Sequence, residues 1–212
     1  MKIVVFSDTH LGLPFEEKKF NFLATIIQNS DQVIINGDFW EGHLIAFNDF
    51  VESPWKDLFP LLKEKNTIYI HGNHDKQELT DERSALFSNT QTDRYILKLK
   101  DKSLILEHGD RLAFLPKRPK FFTRRAMAIE KMMIRKAGDK IHKIIGGKLN
   151  RKIKKALKLE LGENEIYICG HTHYAEIDKN SQFINSGIIR HGIAQYLLIE
   201  NDRIVAKEEW YD

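Results

Sequence analysis

Hydrophobic residues in the first hundred positions follow two alternating patterns. The runs KIVVFS, DQVIING and NTIYIHG are short and apolar and are bounded by polar turns, which is typical of strands. Between them, FEEKKFNFLATIIQN repeats its apolar positions at helical spacing, and SPWKDLFPLLKEK predicts a second helix that Ser53 caps and Pro54 begins. Strands that alternate with helices predict an α/β fold.

The later part of the chain is richer in strand patterns. RYILKLKDKSLILEHGD predicts a β-hairpin that turns at residues 100–102, and EIYICG, AEID, QFIN, AQYLLIE and RIVAKEEW predict further strands. From about Phe121 to Lys158 the apolar positions, Ile144 and Ile145 among them, recur at helical spacing, with a break at Gly146-Gly147. We therefore predict an α/β protein interrupted by a two-helix insertion.

Composition limits the class of protein. The chain has 212 residues, 42% apolar and 30% charged, which predicts one globular domain at 1–212 with a helical cap insertion at about 114–161. The single cysteine, Cys169, excludes an internal disulfide and a zinc site built from several thiolates. The apolar runs are far shorter than the roughly 18 residues of a membrane span, and the first is too short for a signal peptide. We therefore expect a cytoplasmic protein.

Basic residues are concentrated in one segment. Residues 111–158 contain 17 of the 33 Lys and Arg residues but only two of the 30 acids, Glu130 and Asp139. One interpretation is a solvated helix pair with its charges on the outer face. Three of the four methionines also lie there, and this favours peripheral contact with the inner face of an anionic membrane or with a lipid-linked substrate. Binding of a nucleic-acid backbone is the alternative, although aromatic residues for base stacking are few.

Five of the predicted strands end in side chains that commonly bind metal ions. The endings are SDTH, NGD, HGNHD, EHGD and CGHTH. One such ending is more often a cap or a turn, but binding residues of α/β sheets gather at the carboxyl ends of strands. Five endings together therefore predict one shared site. Its candidate ligands are Asp8, His10, Asp38, Asn73, His108, His171 and His173.

These candidate ligands combine carboxylates, imidazoles and an amide oxygen, and they are too many for one tetrahedral zinc ion. The set suits two divalent ions of intermediate softness, Mn²⁺ first, with Fe, Zn, Ni or Co as alternatives. Two ions held about 3.5–4 Å apart by a shared carboxylate attract a phosphate and stabilise the charge of its transition state. The sequence thus predicts a centre that cleaves phosphate esters.

The ordered motifs D-x-H, GD-x-x-E, GNHD, HGD and GHTH resemble those of the calcineurin-like metallophosphoesterases, and they extend from Asp8 to His173. The resemblance implies a four-layer αββα sandwich, here with a basic helical cap insertion, and a dinuclear site at the loop ends. It assigns one metal ion to Asp8, His10, Asp38 and His173. It assigns the other to Asp38, Asn73, His108 and His171, so that Asp38 bridges the two ions.

The resemblance also implies roles beside the metal ions. His74 is expected to stabilise the phosphoryl oxygens and to protonate the leaving group, as a catalytic residue whose pKa lies near working pH. Asp75 is expected to orient His74. For Glu41, support of the site from behind the ligands and a role in a surface loop both stay open.

Within that family, an HGD motif followed by a long helical insertion is similar to the UDP-2,3-diacylglucosamine diphosphatases of lipid A synthesis. The resemblance implies hydrolysis of a phosphodiester or pyrophosphate bond by a metal-bridging hydroxide, with a UDP- or lipid-linked substrate. Arg124 and Arg125 in the insertion are the predicted substrate-binding residues. A nuclease or nucleotide phosphodiesterase that binds nucleic acid through the basic cap is the alternative enzyme. A non-catalytic scaffold is the alternative from another class, and the complete ligand set argues against it.

Overall fold

Two β-sheets form the centre of the computed structural model, which describes residues 1–113 and 140–211. The seven strands of the first sheet are β1 (Lys2–Phe6), β2 (Gln32–Asn36), β3 (Ile68–Ile70), β4 (Thr90–Thr92), β10 (Ile189–Arg190), β11 (Ile193–Glu200) and β12 (Arg203–Trp210). The five strands of the second sheet are β5 (Tyr95–Lys98), β6 (Ser103–Leu106), β7 (Glu165–Cys169), β8 (Glu176–Asp178) and β9 (Phe183–Asn185). The predicted hairpins β5–β6 and β11–β12 are both confirmed.

The strand order places the polar strand ends side by side. The first sheet has the order β10-β11-β1-β2-β3-β4, with β12 paired to β11, and its strands β1 to β4 are parallel. The second sheet has the order β5-β6-β7-β9-β8, in which β6, β7 and β9 are parallel. Because the carboxyl ends of parallel strands meet at one edge, each sheet gathers its motif loops at a single end.

The helices are α1 (Glu17–Gln28), α2 (Phe47–Glu52), α3 (Phe59–Glu64) and α4 (Lys140–Leu157), with a short 3₁₀ turn between α2 and α3. The segment predicted as one helix from Ser53 onward is divided into a 3₁₀ turn at Pro54–Leu58 and α3. Pro60 lies in the first turn of α3 and has no N–H for the carbonyl of the preceding turn, so a new helix begins there. Within residues 1–113 and 140–211, no helix combines the length and the apolar character needed to span a bilayer.

Four layers follow from the alternation of side chains along each strand. In β1, Val4 faces the helices α1 to α3, whereas Val5 faces the second sheet and packs in the same cluster as Ile168. On the far side of the second sheet, Ile153 of α4 packs on Tyr167. The order is therefore helix, sheet, sheet, helix, and the mixed α/β fold predicted from the sequence is confirmed.

Helix α4 differs from its prediction. The helix runs without a break through Gly146-Gly147, so the predicted interruption is wrong. Ile144 and Ile145 are 58% and 56% exposed, and the buried face is formed instead by Gly146, Asn150, Ile153 and Leu157. Residues 114–139 lie outside the described part of the chain, so the cap insertion at about 114–161 stays a prediction.

Candidate metal centre

The motif loops of both sheets meet at one place. Asp8, Asp38 and Asn73 follow β1, β2 and β3 of the first sheet, whereas His108 and His171 follow β6 and β7 of the second. The loops are joined by backbone hydrogen bonds such as that from Asp8 N to Gly37 O, at 3.1 Å. In the second sheet, a hydrogen bond from Gly170 N to His108 O, at 3.0 Å, joins the loops that follow β6 and β7. The centre therefore lies at the junction of the two sheets.

One group of ligand atoms surrounds Asp8. His173 Nε2 lies 3.2 Å from Asp8 Oδ1 and 3.3 Å from His10 Nε2. Asp8 and His10 are buried, and the side chain of His173 is 18% exposed. One carboxylate and two imidazoles at this spacing form a candidate metal-binding group, and they are three of the four residues predicted for the first ion.

A second group centres on Asp38. His108 Nε2 lies 3.3 Å from Asp38 Oδ2, and His10 Nε2 lies 3.7 Å from the same oxygen. Asp8, Asp38 and His108 form a second candidate metal-binding group, with all three side chains buried. One oxygen of Asp38 thus faces ligands of both predicted ions, which is the placement that a bridging carboxylate requires.

Three buried ligand atoms show that the centre suits a cation. Asn73 Oδ1, His108 Nε2 and His171 Nε2 are buried and make no hydrogen bond among the described residues, although His108 Nε2 faces the Asp38 carboxylate at 3.3 Å. Buried polar atoms are almost always paired, because an unpaired one costs about 1–3 kcal/mol. All three belong to the set predicted for the second ion. The residues therefore fit a second divalent cation, which would satisfy these atoms when bound.

The backbone is strained where the ligands are attached. Among the seven predicted ligands, five have a positive φ in the left-handed region: Asp8, His10, Asp38, His171 and His173. Such a conformation is uncommon for residues other than glycine, and it persists only when the surrounding structure fixes it. Glycines let the loops approach the ligands closely, because a Cβ atom on Gly37, Gly72 or Gly170 would collide with His108, Asp38 or Asp8, respectively.

Glu41 holds two histidines at once. Its Oε2 lies 3.1 Å from His10 Nδ1, and its Oε1 lies 2.6 Å from His74 Nδ1. Glu41 is only 2% exposed, so the interpretation as a surface-loop residue is wrong. A carboxylate behind a metal-binding histidine fixes the ring and raises its basicity. The sequence signal was the position of Glu41, three residues after Asp38 in GD-x-x-E.

The carboxylate of Asp75 makes no hydrogen bond with the ring of His74, so the predicted orienting contact is wrong. Its carboxylate accepts three backbone N–H groups instead, from Asp38 at 3.0 Å, Phe39 at 2.6 Å and Gly72 at 2.7 Å. The side chain of Asp75 therefore turns into the fold and ties the loop after β3 to the loop after β2. The orienting contact to His74 comes from Glu41.

The sequence comparison identifies the family. Residues 1–196 match the calcineurin-like phosphoesterase superfamily domain. The chain belongs to this superfamily. Calcineurin-like phosphoesterases use a dinuclear divalent metal centre, and the ligand groups around Asp8 and Asp38 are the candidates for it here. Membership also supports hydrolase activity. Among curated proteins, none matches this sequence.

Several solved structures share the fold along the whole chain. An archaeal phosphodiesterase is 20% identical, with 99% of each chain covered and a TM-score of 0.51. The phosphoesterase YfcE from E. coli is 17% identical, with 100% of each chain covered and a TM-score of 0.53. Vps29 from Entamoeba histolytica, solved with Zn²⁺, is 15% identical, with 100% of each chain covered and a TM-score of 0.50. At these identities the likeness shows the fold alone.

The protonation states agree with ligands for cations. Burial alone would raise the pKa of Asp38, but His108 and His74 outweigh it, and the pKa lies well below its ordinary value. Burial lowers the pKa of His10 to about 4, and burial together with His108 lowers that of His171 to about 4. Both imidazoles are therefore neutral at pH 7, the form that binds metal. Burial opposes a proton on His108, but Asp38 raises its pKa well above the usual value, so a cation would compete with that proton.

The two predicted substrate-binding residues cannot be placed. Arg124 and Arg125 lie outside the described residues.

Of the other predicted residues, His74 lies at the rim of the centre, with its Nε2 4.0 Å from Asp38 Oδ2 and its side chain 20% exposed. His43 was not among the predicted site residues, and its ring lies 4.2 Å from that of His74 between centroids. The rim therefore carries two imidazoles.

Proposed function

We propose that this protein hydrolyses a phosphodiester or pyrophosphate bond in a metal-dependent reaction at the centre around Asp38. The observation that carries the proposal is that two candidate metal-binding groups share Asp8 and that Asp38 Oδ2 lies 3.3 Å from His108 Nε2 and 3.7 Å from His10 Nε2. Three buried ligand atoms beside them make no hydrogen bond in the described part of the chain. Divalent ions bound there would supply Lewis acidity and an activated water molecule. Asp8, His10, Asp38 and His173 would hold one ion, and Asp38, Asn73, His108 and His171 would hold the other.

His74 is the residue that we propose to move a proton. Glu41 Oε1 accepts a hydrogen bond from His74 Nδ1 and so directs Nε2 towards the open side of the centre. Burial opposes a charge on His74, but Asp38 and Glu41 raise its pKa above the usual value, which favours a proton on Nε2. That proton can stabilise a phosphoryl oxygen and then pass to the leaving-group oxygen.

For the substrate, we propose a UDP-linked or lipid-linked pyrophosphate, with Mn²⁺ as the metal. The motif order, with a long insertion between HGD and GHTH, supports this substrate, and so do the 17 basic residues of 111–158. Ile144 and Ile145 are exposed on α4 near the basic Lys148 and Arg151, an amphipathic surface that suits an anionic membrane. Arg124 and Arg125 would contact the substrate phosphates.

The test is one Mn²⁺-supplemented panel of substrates with a chelator control. It compares UDP-2,3-diacylglucosamine, a generic phosphodiester, a phosphomonoester and single-stranded oligonucleotides. We expect chelator-sensitive hydrolysis of the generic phosphodiester and faster hydrolysis of the UDP-linked lipid. Preference for oligonucleotides would favour the nuclease, and absence of metal-dependent turnover on every substrate would refute the proposed activity.

A further inference from the structure

A buried network of amides lies behind the two histidines of the GHTH loop. Asn150 of α4 is fully buried, and its Oδ1 accepts the hydroxyl of Thr172 at 2.7 Å and the Nδ2 group of Asn185 at 3.2 Å. Its Nδ2 donates to Tyr174 O at 3.1 Å and to Glu176 Oε2 at 2.8 Å. Asn150 thus contacts the loop on both sides of His173.

Asn185 holds the other end of the same loop. Its Nδ2 donates to Gly170 O at 2.6 Å and contacts Thr172 Oγ1 at 3.0 Å. Thr172 lies between His171 and His173 in the sequence, and both histidines have positive φ values, 62° and 56°. Two strained residues in three positions require fixed neighbours, and the amides of Asn150 and Asn185 supply them.

We infer that Asn150 is a positioning residue for the candidate metal centre, acting through Thr172 on His171 and His173. This inference rests on the proposed function, because it assumes that the two histidines bind divalent ions. The presence of an amide side chain at position 150 supports the inference. Asn150 occupies the buried face of α4, where Ile153 and Leu157 pack as apolar residues, and an apolar side chain there would leave the loop without these hydrogen bonds.

The same helix also touches the loop through its backbone. A Cβ atom on Gly146 would collide with Tyr174 and would lie 2.9 Å from Thr172 O, so α4 approaches the loop as closely as a glycine allows. A Cβ atom on the adjacent Gly147 would meet Tyr174 only at an ordinary contact distance of 3.7 Å. The helix that carries part of the basic segment therefore braces the metal-binding loop directly.

The experiment measures Mn²⁺ and Co²⁺ binding by calorimetry and by the Co²⁺ absorption spectrum, in the absence of substrate. We expect Asn150→Ala to weaken metal affinity by about 10- to 100-fold, the usual effect of losing a partner behind a ligand. Leu157→Ala is the matched control, because it removes a buried side chain of the same helix about two turns beyond Asn150. It should lower Tm and leave metal affinity unchanged. Equal metal affinity in Asn150→Ala and wild type would overturn the inference.

Two further pairs of variants test the inference if Asn150→Ala does not fold. Thr172→Val removes the hydroxyl and should weaken metal binding, whereas Thr172→Ser keeps it and should restore binding. Gly146→Ala should displace the loop and weaken metal binding, whereas Gly147→Ala should bind as wild type. If both members of each pair bind metal equally, the inference is wrong.

The outcomes separate this inference from the proposed function. Wild-type protein that binds Mn²⁺ but hydrolyses no phosphoester would refute the proposed activity and leave the positioning role of Asn150 to be decided by the affinities. Hydrolysis by wild type with unchanged affinities in every variant would refute only the positioning role. Wild-type protein that binds no divalent ion would refute both.

Discussion

The ligands from the two sheets are held in place by different chemistry. On the first sheet, the carboxylates of Glu41 and Asp75 hold the loops, one through histidine rings and the other through backbone N–H groups. On the second sheet, much of the support is neutral: the carbonyl of Asn36 for His108 and the amide of Asn150 for the GHTH loop, where the Asp8 carboxylate also accepts the N–H of His171 at 3.0 Å. Charged support sets the protonation of the histidines it touches, whereas neutral support fixes their position without adding charge.

The largest effect should come from Asp38, which faces ligands of both sheets. Asp38→Ala removes the shared carboxylate and should lower metal-dependent hydrolysis on the order of 10³-fold or more, the upper range for losing one electrostatic contact. His108→Ala, on the second sheet, should be similarly inactive. Steady-state turnover of a generic phosphodiester with Mn²⁺ checks this. Unchanged turnover in either variant would contradict the assigned site.

The next largest effect should come from the charged support of the first sheet. Glu41→Gln keeps the size of the side chain, but an amide has only one oxygen and cannot accept hydrogen bonds from both imidazoles through two oxygens, as the carboxylate does. Metal affinity and kcat should therefore each fall by about 10- to 100-fold. Glu78→Gln, an exposed acid in a nearby 3₁₀ turn, is the matched control and should behave as wild type. Wild-type kcat in Glu41→Gln would remove Glu41 from the mechanism.

Asp75 should affect stability more than catalysis. Asp75→Asn replaces an acceptor of three N–H groups by an amide with one oxygen, so unfolding should become easier by about 1–3 kcal/mol. The decrease in kcat should stay smaller than in Glu41→Gln, because the Asp75 carboxylate bonds to backbone N–H groups and not to the His74 ring. Denaturant unfolding and turnover of the same preparations decide this. A larger loss of kcat than in Glu41→Gln, at unchanged stability, would restore the orienting role to Asp75.

The smallest effect should come from the helical side of the first sheet. Ser53 accepts the N–H of Trp55 and caps the 3₁₀ turn before α3, so Ser53→Ala should cost about 0.5–2 kcal/mol of stability. Metal affinity and kcat should not change. A parallel loss of metal binding would mean that general destabilisation alone disturbs the centre, and it would weaken the comparison between the two kinds of support.

The strands and the strand-end motifs were predictable because both depend on local pattern. Alternation fixes which residues of β1 face each layer, and the polar endings follow directly in the sequence. The direction of a side chain is not local, which is why Asp75 was predicted beside His74 when Glu41 is the residue that contacts it. The family resemblance named both acids but did not determine which carboxylate faces the ring.

Helix α4 shows a second limit of prediction from the sequence. Two adjacent glycines lower helix propensity by about 1 kcal/mol each, so the sequence predicts a break at Gly146-Gly147. The helix nevertheless continues through both glycines. At Gly146 the missing side chain lets α4 approach Tyr174, a residue 28 positions further along the chain, and this contact cannot be seen in the local pattern. Apolar spacing also placed Ile144 in the predicted buried pattern, whereas the buried face is set by Asn150 and its partners in the GHTH loop.

Metal stoichiometry tests the central claim most directly. Wild type and Asp38→Ala would be stripped with a chelator, titrated with Mn²⁺ by calorimetry and assayed for phosphodiester hydrolysis at each ratio. A centre that shares Asp38 between two ions predicts two Mn²⁺ per wild-type chain, hydrolysis that rises with loading, and loss of both in Asp38→Ala. Hydrolysis by the stripped protein, or unchanged Mn²⁺ binding in Asp38→Ala, would contradict it.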